Sequence, residues 1–182
     1  RETISTTAQA EELFKKQIGG RGLFAQVGLK VEPAERGAGL VFEDLLTQEQ
    51  VPREFRAAIK AGVRDAMDRG ILADFPVVDV RVSVYTGAFH EVDSSEAAFR
   101  VAASLAFQTA AKAAEPTLLE PLMRLEIQTP EVHTGGVVSD IASRRGKVIS
   151  LEAGARSQMI RAEVPLAELF GYATDLRSQT QG

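Results

Sequence analysis

An α+β fold in two units is predicted for this chain by three observations. Val78, Val80, Val82 and Val84 alternate with Asp79, Arg81 and Ser83, the period of two that a strand with one buried face requires. Two other segments repeat apolar residues at helical spacing: Phe55, Ile59, Val63 and Met67, and then Phe99, Ala102, Leu105, Ala106 and Ala110. Pro116 ends the second of these helices, and a new series of strand and helix patterns follows it, so the units are expected to be residues 1–115 and 116–182.

The first unit opens with a short extended piece, Glu2 to Thr6, and a polar stretch to Gly19. Leu23, Ala25, Val27, Leu29 and Val31 then share one face of a strand, and Gly37-Ala38-Gly39 turns the chain into another, Leu40 to Glu43. Pro52 suits the first turn of the helix that carries Phe55, and Gly70 suits its end. The valine strand runs into Thr86-Gly87-Ala88-Phe89-His90-Glu91-Val92-Asp93-Ser94-Ser95-Glu96, a polar tip holding His90. Asp93 and Glu96 have the spacing of a helix N-cap and its capping-box partner.

In the second unit Met123, Leu125 and Ile127 alternate with Arg124 and Glu126, and Val137, Val138 and Ile141 lie on one helix face closed by Gly146. Two strands follow, one with Ile149 and Leu151 and one with Ile160, Ala162 and Val164. A last helix bears Leu169, Phe170, Ala173 and Leu176. Strand, helix, strand, strand, helix is a ferredoxin-like run lacking its last strand. The sequence begins at Arg1 without a methionine and stops at Gly182, so both ends are expected to be limits within a longer chain. It has no internal repeat and no low-complexity tract.

Composition narrows the function classes. A length of 182 residues with 45% hydrophobic and 25% charged residues supports real cores. No apolar run is long enough to span a bilayer and no secretory leader is read, so no membrane partner and a cytoplasmic location are expected. The absence of cysteine excludes disulfides and thiolate zinc sites. A net charge of −4 argues against a general polyanion binder, because sequence-independent affinity for nucleic acid comes mostly from Lys and Arg; any RNA contact must be local.

Three groups of residues invite a chemical reading. His90, Asp93, Ser94 and Ser95 contain the residue types of a hydrolytic triad, but residues so close on one turn rarely place an imidazole between nucleophile and carboxylate, and helix capping explains Asp93 and the serines better. As metal ligands, His90 and Glu91 lack a third partner, so no metal is expected. Gly19-Gly20-Arg21-Gly22 lacks the Gly-Lys-Ser or Gly-Lys-Thr ending of a nucleotide-binding loop and leads into a strand, not a helix; on spacing alone it is a turn. Arg144, Arg145 and Lys147 form a cationic cluster at a helix end, where they offset the negative end of the dipole or meet RNA. No catalytic residue is assigned.

Five blocks stand in a telling order: Gly19-Gly20-Arg21-Gly22-Leu23-Phe24-Ala25-Gln26-Val27, Gly70-Ile71-Leu72-Ala73-Asp74-Phe75-Pro76-Val77-Val78-Asp79-Val80, the tip with His90, Leu118-Leu119-Glu120-Pro121, and Phe170-Gly171-Tyr172-Ala173-Thr174-Asp175-Leu176-Arg177-Ser178. Together they make the chain resemble the fourth and fifth domains of elongation factor G, a translational GTPase. That resemblance implies a first domain that is ribosomal-protein-S5-like and a second that is ferredoxin-like. It implies a ribosome-binding role in the translocation of tRNA and mRNA, with the loops of Gly19, Gly20, Arg21, Gly22 and of His90 and Glu91 together at a tip that enters the decoding centre. The partners implied are the ribosome, ribosomal RNA and the tRNA–mRNA pair, with Arg144, Arg145 and Lys147 as a second RNA contact. GTP and Mg are expected in an N-terminal domain of the parent protein. This part is expected to need no cofactor and to be non-catalytic alone.

The chain departs from the family pattern at Leu23, where most such sequences have glutamine, at Leu46-Thr47-Gln48-Glu49-Gln50 in place of a paired-glycine turn, at Asp74 in place of glycine, and at Thr86-Gly87-Ala88 in place of Asp-Gly-Ser. An altered tip admits a paralogue in ribosome recycling or ribosomal protection. A stand-alone RNA-binding module is the third reading, since βαβ folds serve many unrelated proteins.

Overall fold

The long hairpin that organises the first unit comes from β2, Ala8–Ile18, and β3, Arg21–Pro33, paired residue for residue down to Ile18 opposite Arg21. The computed structural model describes residues 1–154 and 157–180, and of Ile18 and Arg21 the backbone alone. The chain divides into two units, Arg1–Leu119 and Glu120–Gly182, each with its own apolar core.

Around that hairpin the first unit places β1, Glu2–Ile4, β4, Leu40–Asp44, α1, Arg53–Arg69, β5, Val80–Ala88, α2, Glu96–Ala113, and β6, Pro116–Leu118. The main sheet has the order β2-β3-β5-β4; only β4 and β5 run parallel, as the crossover through α1 demands. Ala25, Val27, Leu29, Val31, Val80, Val82 and Val84 form its buried face, and α1 and α2 cover them with Ile59, Val63, Phe99, Ala102, Ala106 and Phe107. Phe55 stacks on Phe99 with ring centroids 5.0 Å apart. At Gly62 a Cβ would penetrate the backbone carbonyl of Arg100, so this glycine sets how closely the helices approach.

Several expectations are corrected here. The polar stretch before Gly19 is the edge strand β2: its inner positions are Ala8, Ala10 and Phe14, packed against the core, while Glu12 interrupts the apolar series and accepts a hydrogen bond from Thr109 Oγ1 at 2.7 Å. Leu105, expected on the buried face of α2, is 40% exposed; Ala103 and Phe107 are buried instead. The tip begins later than expected, because Thr86, Gly87 and Ala88 pair with β3. Asp79 does not alternate outward. It is buried with φ 60° and accepts hydrogen bonds from the Gly37 and Gly39 N–H groups, each at 3.0 Å. Residues Pro116–Leu118 pair antiparallel with β1, so by spatial contact this short strand after Pro116 lies with the first unit.

The second unit contains β7, Leu122–Thr129, α3, Glu131–Ser143, β8, Lys147–Ala153, β9, Gln158–Pro165, a 3-10 turn, Leu166–Glu168, and α4, Tyr172–Thr180. Its sheet, ordered β7-β9-β8 and antiparallel throughout, is that of the first three strands of a ferredoxin-like run. Ile127, Val137, Ile141, Ile160, Ala162, Val164 and Tyr172 make the core. A register shift between Val148 and Ser150 turns Ile149 outward, 56% exposed, and leaves Val148 to pack inward. Phe170 is likewise 80% exposed and precedes α4, whose buried aromatic residue is Tyr172. The end of α3 is a Schellman arrangement: Arg145, φ 57°, donates to Ala142 O at 3.1 Å, and Gly146 to Ile141 O at 2.9 Å.

Candidate functional site

Gly19 and Gly20 form a two-residue hairpin turn with φ of 55° and 81°. Positive φ at both central residues is the requirement of the turn whose twist matches the flanking strands, and glycine meets it without strain. Gly22 already lies in β3, opposite Gln17. The Arg21 backbone sits at the turn, and its side chain lies outside the described residues.

The segment from Phe89 to Ser95 joins β5 to α2 and is strapped to this hairpin. Phe24 N–H donates to Asp93 O at 2.8 Å, and the Ser94 hydroxyl donates to Phe24 O at 2.8 Å. A Cβ at Gly22 would overlap the Asp93 carboxylate, which would have to turn aside to admit it. Helix α2 is capped by Ser95, whose side chain accepts from Ala98 N–H at 3.2 Å. The expected cap, Asp93, is drawn to β3 instead.

His90 folds the segment around itself. Its N–H donates to Ser94 Oγ at 2.9 Å, its carbonyl accepts from Ser94 N–H at 3.0 Å, and its Nδ1 accepts from the Val92 and Asp93 N–H groups at 3.3 and 3.2 Å. The ring, 54% exposed, lies 6.2 Å from the Phe24 ring centroid to centroid, and Nδ1 is 3.6 Å from Asp93 Oδ2. With the Ser94 hydroxyl given to a backbone carbonyl and Ser95 to a helix cap, no serine is aligned with the imidazole as a triad needs. Glu91 is exposed in the same segment.

The structure thus brings Gly19, Gly20, Gly22 and His90 to one end of the first unit. Between hairpin and strap lies a shallow groove of about 380 Å³, lined by Lys15, Lys16, Gln17, Gly20, Gly22, Leu23, Phe24, His90 and Asp93. Lys15 and Lys16, both exposed, were not singled out from the sequence, because the segment holding them did not read as a strand. The available signal was a pair of lysines just before a paired-glycine turn.

The two arginines of the second cationic cluster are tied up within their own unit. Arg144 donates to Asp140 Oδ2 at 3.0 Å, to Glu168 O at 2.9 Å and to Asp175 Oδ2 at 2.6 Å, and its guanidinium lies 4.9 Å over the Tyr172 ring. The hydrogen bond to Asp175, with that to Asp140, holds its pKa above the ordinary arginine value against the opposing effect of burial. Arg145 bridges both oxygens of Glu120, at 2.8 and 3.1 Å, and Glu168 Oε1 at 3.0 Å. Lys147 is exposed at the start of β8.

The chain thus consists of two α+β units, the first bearing a tip of two strapped loops. The chain belongs to the elongation factor G family: the family "Elongation factor G, domain IV" matches residues 1–115 and "Elongation factor G C-terminus" matches residues 117–182. It is similar to a Thermus thermophilus protein of known crystal structure, with 41% sequence identity and a TM-score of 0.89. That likeness covers 100% of this chain and 27% of the other, so the chain spans about a quarter of its relative's length. Among the described residues no helix is long and apolar enough to cross a membrane.

Proposed function

We propose that this chain is the ribosome-binding part of a translocase, in which the tip formed by Gly19, Gly20, Arg21, Gly22, His90 and Glu91 acts on the tRNA–mRNA pair at the decoding centre. GTP, with Mg, is bound and hydrolysed by another domain of the parent protein. The observation that carries this reading is the strapping of two loops into one tip on a chain of the elongation factor G family. The net charge of −4 leaves RNA affinity to local groups, and Lys15 and Lys16 flank the tip groove. Glycines allow backbone to approach RNA closely, while Lys, Arg and His offer donors to phosphates and sugar hydroxyls. Arg144 and Arg145 are engaged by carboxylates, which leaves Lys147 as the readier donor of the second RNA contact.

The recycling or protection alternative retains one specific support: Leu23, a departure from the family pattern, lines the tip groove. The other departures, at Leu46 to Gln50, Asp74 and Thr86 to Ala88, lie outside the groove lining. The test is the His90→Ala, Arg21→Ala double variant of the complete factor carrying this sequence. Single-turnover translocation is expected to slow roughly 10-fold or more, as loss of charge-assisted contacts of about 1.5–3 kcal/mol each requires. Ribosome-stimulated GTP hydrolysis stays nearly unchanged. Translocation at the wild-type rate would remove the tip assignment, and a factor that recycles ribosomes without translocating would establish the alternative.

A further inference from the structure

We propose that the two ring nitrogens of His90 have separate tasks: Nδ1 holds the loop as a hydrogen-bond acceptor, and the outward Nε2–H is the donor that recognises an acceptor oxygen of the RNA backbone. The recognition half rests on the tip reading above; the assignment of the nitrogens rests on local geometry alone. Two backbone N–H groups, from Val92 and Asp93, converge on Nδ1. A proton on Nδ1 would be set against both of them, so the imidazole carries its proton on Nε2. Turning the ring over would put a carbon in place of Nδ1 and leave both N–H groups without their acceptor, so these two hydrogen bonds themselves set the ring's orientation. Asp93, at 3.6 Å, faces Nδ1 beyond hydrogen-bond reach and does not compete for the outer nitrogen. What the half-exposed ring presents to a ligand is therefore one N–H of fixed direction.

The two tasks separate by substitution. Asparagine places an oxygen near Nδ1 and can accept from the N–H groups two and three residues on, as it does in Asx turns, but it does not reach the position of Nε2. Glutamine reaches that position with a donor and leaves the inner N–H groups without their acceptor. In the 182-residue chain, nitrogen NMR at about pH 8, above the ordinary imidazole range, is expected to show His90 with a bare Nδ1 and a protonated Nε2, the signals being assigned by their loss in His90→Asn. In that chain His90→Asn keeps the slow amide exchange of Val92 and Asp93, and His90→Gln loses it. In the complete factor His90→Asn translocates as slowly as His90→Ala, while His90→Gln retains at least a third of the wild-type rate. A protonated Nδ1, or exchange protection kept by Gln and lost by Asn, overturns the assignment of the nitrogens. A slow His90→Gln beside a normal His90→Asn overturns the recognition half while leaving the tip reading in place. Normal translocation by all three variants, Ala included, defeats the tip reading itself, and the NMR result then stands apart from it.

Discussion

Replacing Glu2 by glutamine tests how a single carboxylate holds a distant loop. Glu2 is 0% exposed, and its two oxygens accept four backbone N–H groups: Oε2 from Ile71 at 2.6 Å and Leu72 at 3.0 Å, Oε1 from Ala73 at 2.8 Å and Phe75 at 3.2 Å. Burial raises the pKa of such a group, but the four donors outweigh it and hold the carboxyl below the ordinary glutamate value. Glutamine preserves the shape, keeps one accepting oxygen and turns an NH2 toward the other two donors. Each orphaned N–H costs about 1–3 kcal/mol, so the loss is about 2–5 kcal/mol after some loop relaxation, a fall of roughly 8–20 °C in the midpoint for a unit of this size. The pH dependence has a definite sign. Because the folded pKa is depressed, the carboxylate's contribution is complete above the unfolded glutamate range of about 4.3 and is lost as pH falls through the folded value. Thermal unfolding of wild type and Glu2→Gln, followed by circular dichroism from neutral to acid pH, should show a wide gap that closes in acid. A neutral-pH gap below about 0.5 kcal/mol, or a gap that persists unchanged through the acid range, would refute the argument.

Three further outcomes are expected. Gly62→Ala should destabilise the first unit by about 2–3 kcal/mol in urea unfolding, because its Cβ meets the rigid Arg100 carbonyl instead of a movable side chain. Arg144→Met should weaken the second unit by about 2 kcal/mol and speed hydrogen exchange in α4, since Asp140, Asp175 and Glu168 O lose their common donor; unchanged exchange would mean the guanidinium is dispensable. The 182-residue chain should bind no guanine nucleotide at micromolar concentration by calorimetry, as its glycine-rich turn opens a strand and holds no phosphate-binding Gly-Lys-Ser or Gly-Lys-Thr.

Strands β3 and β5 were legible because their inner residues are aliphatic in strict alternation, and burial of that face is what the pattern encodes. Strand β2 was not, since an edge strand held by a partner needs little apolar surface of its own, and Glu12 is satisfied by a threonine of α2 that no local pattern reveals. The cap of α2 moved from Asp93 to Ser95 because the hydrogen bonds to Phe24 compete for the residues between them. At the tip the turn glycines and His90 could be read from the sequence, but not the direction of the imidazole, which backbone N–H groups determine. The carboxylate of Glu2 gave no signal because its partners lie about seventy positions away. Asp74 adopts φ 58°, which accounts for a site where the family pattern has glycine. The helix dipole accounts for cations at the end of α3, where Arg144 finds Asp140 on the same helix, but the other carboxylates that bind the arginines, Glu120, Glu168 and Asp175, come from segments no local pattern connects to it.

The strap across Phe24 changes how the hairpin bears a load. A force along β2 and β3 is shared by many ladder hydrogen bonds at once, whereas a force that peels the strands apart breaks them singly from the turn. The links to Asp93 and Ser94 stand a few residues behind that turn, where peeling would have to propagate, and pass tension to the start of α2 and on to the buried ring of Phe99. The tip therefore behaves less as a loose finger than as the point of a braced wedge, stiff when pushed end-on and anchored in the core of its own unit.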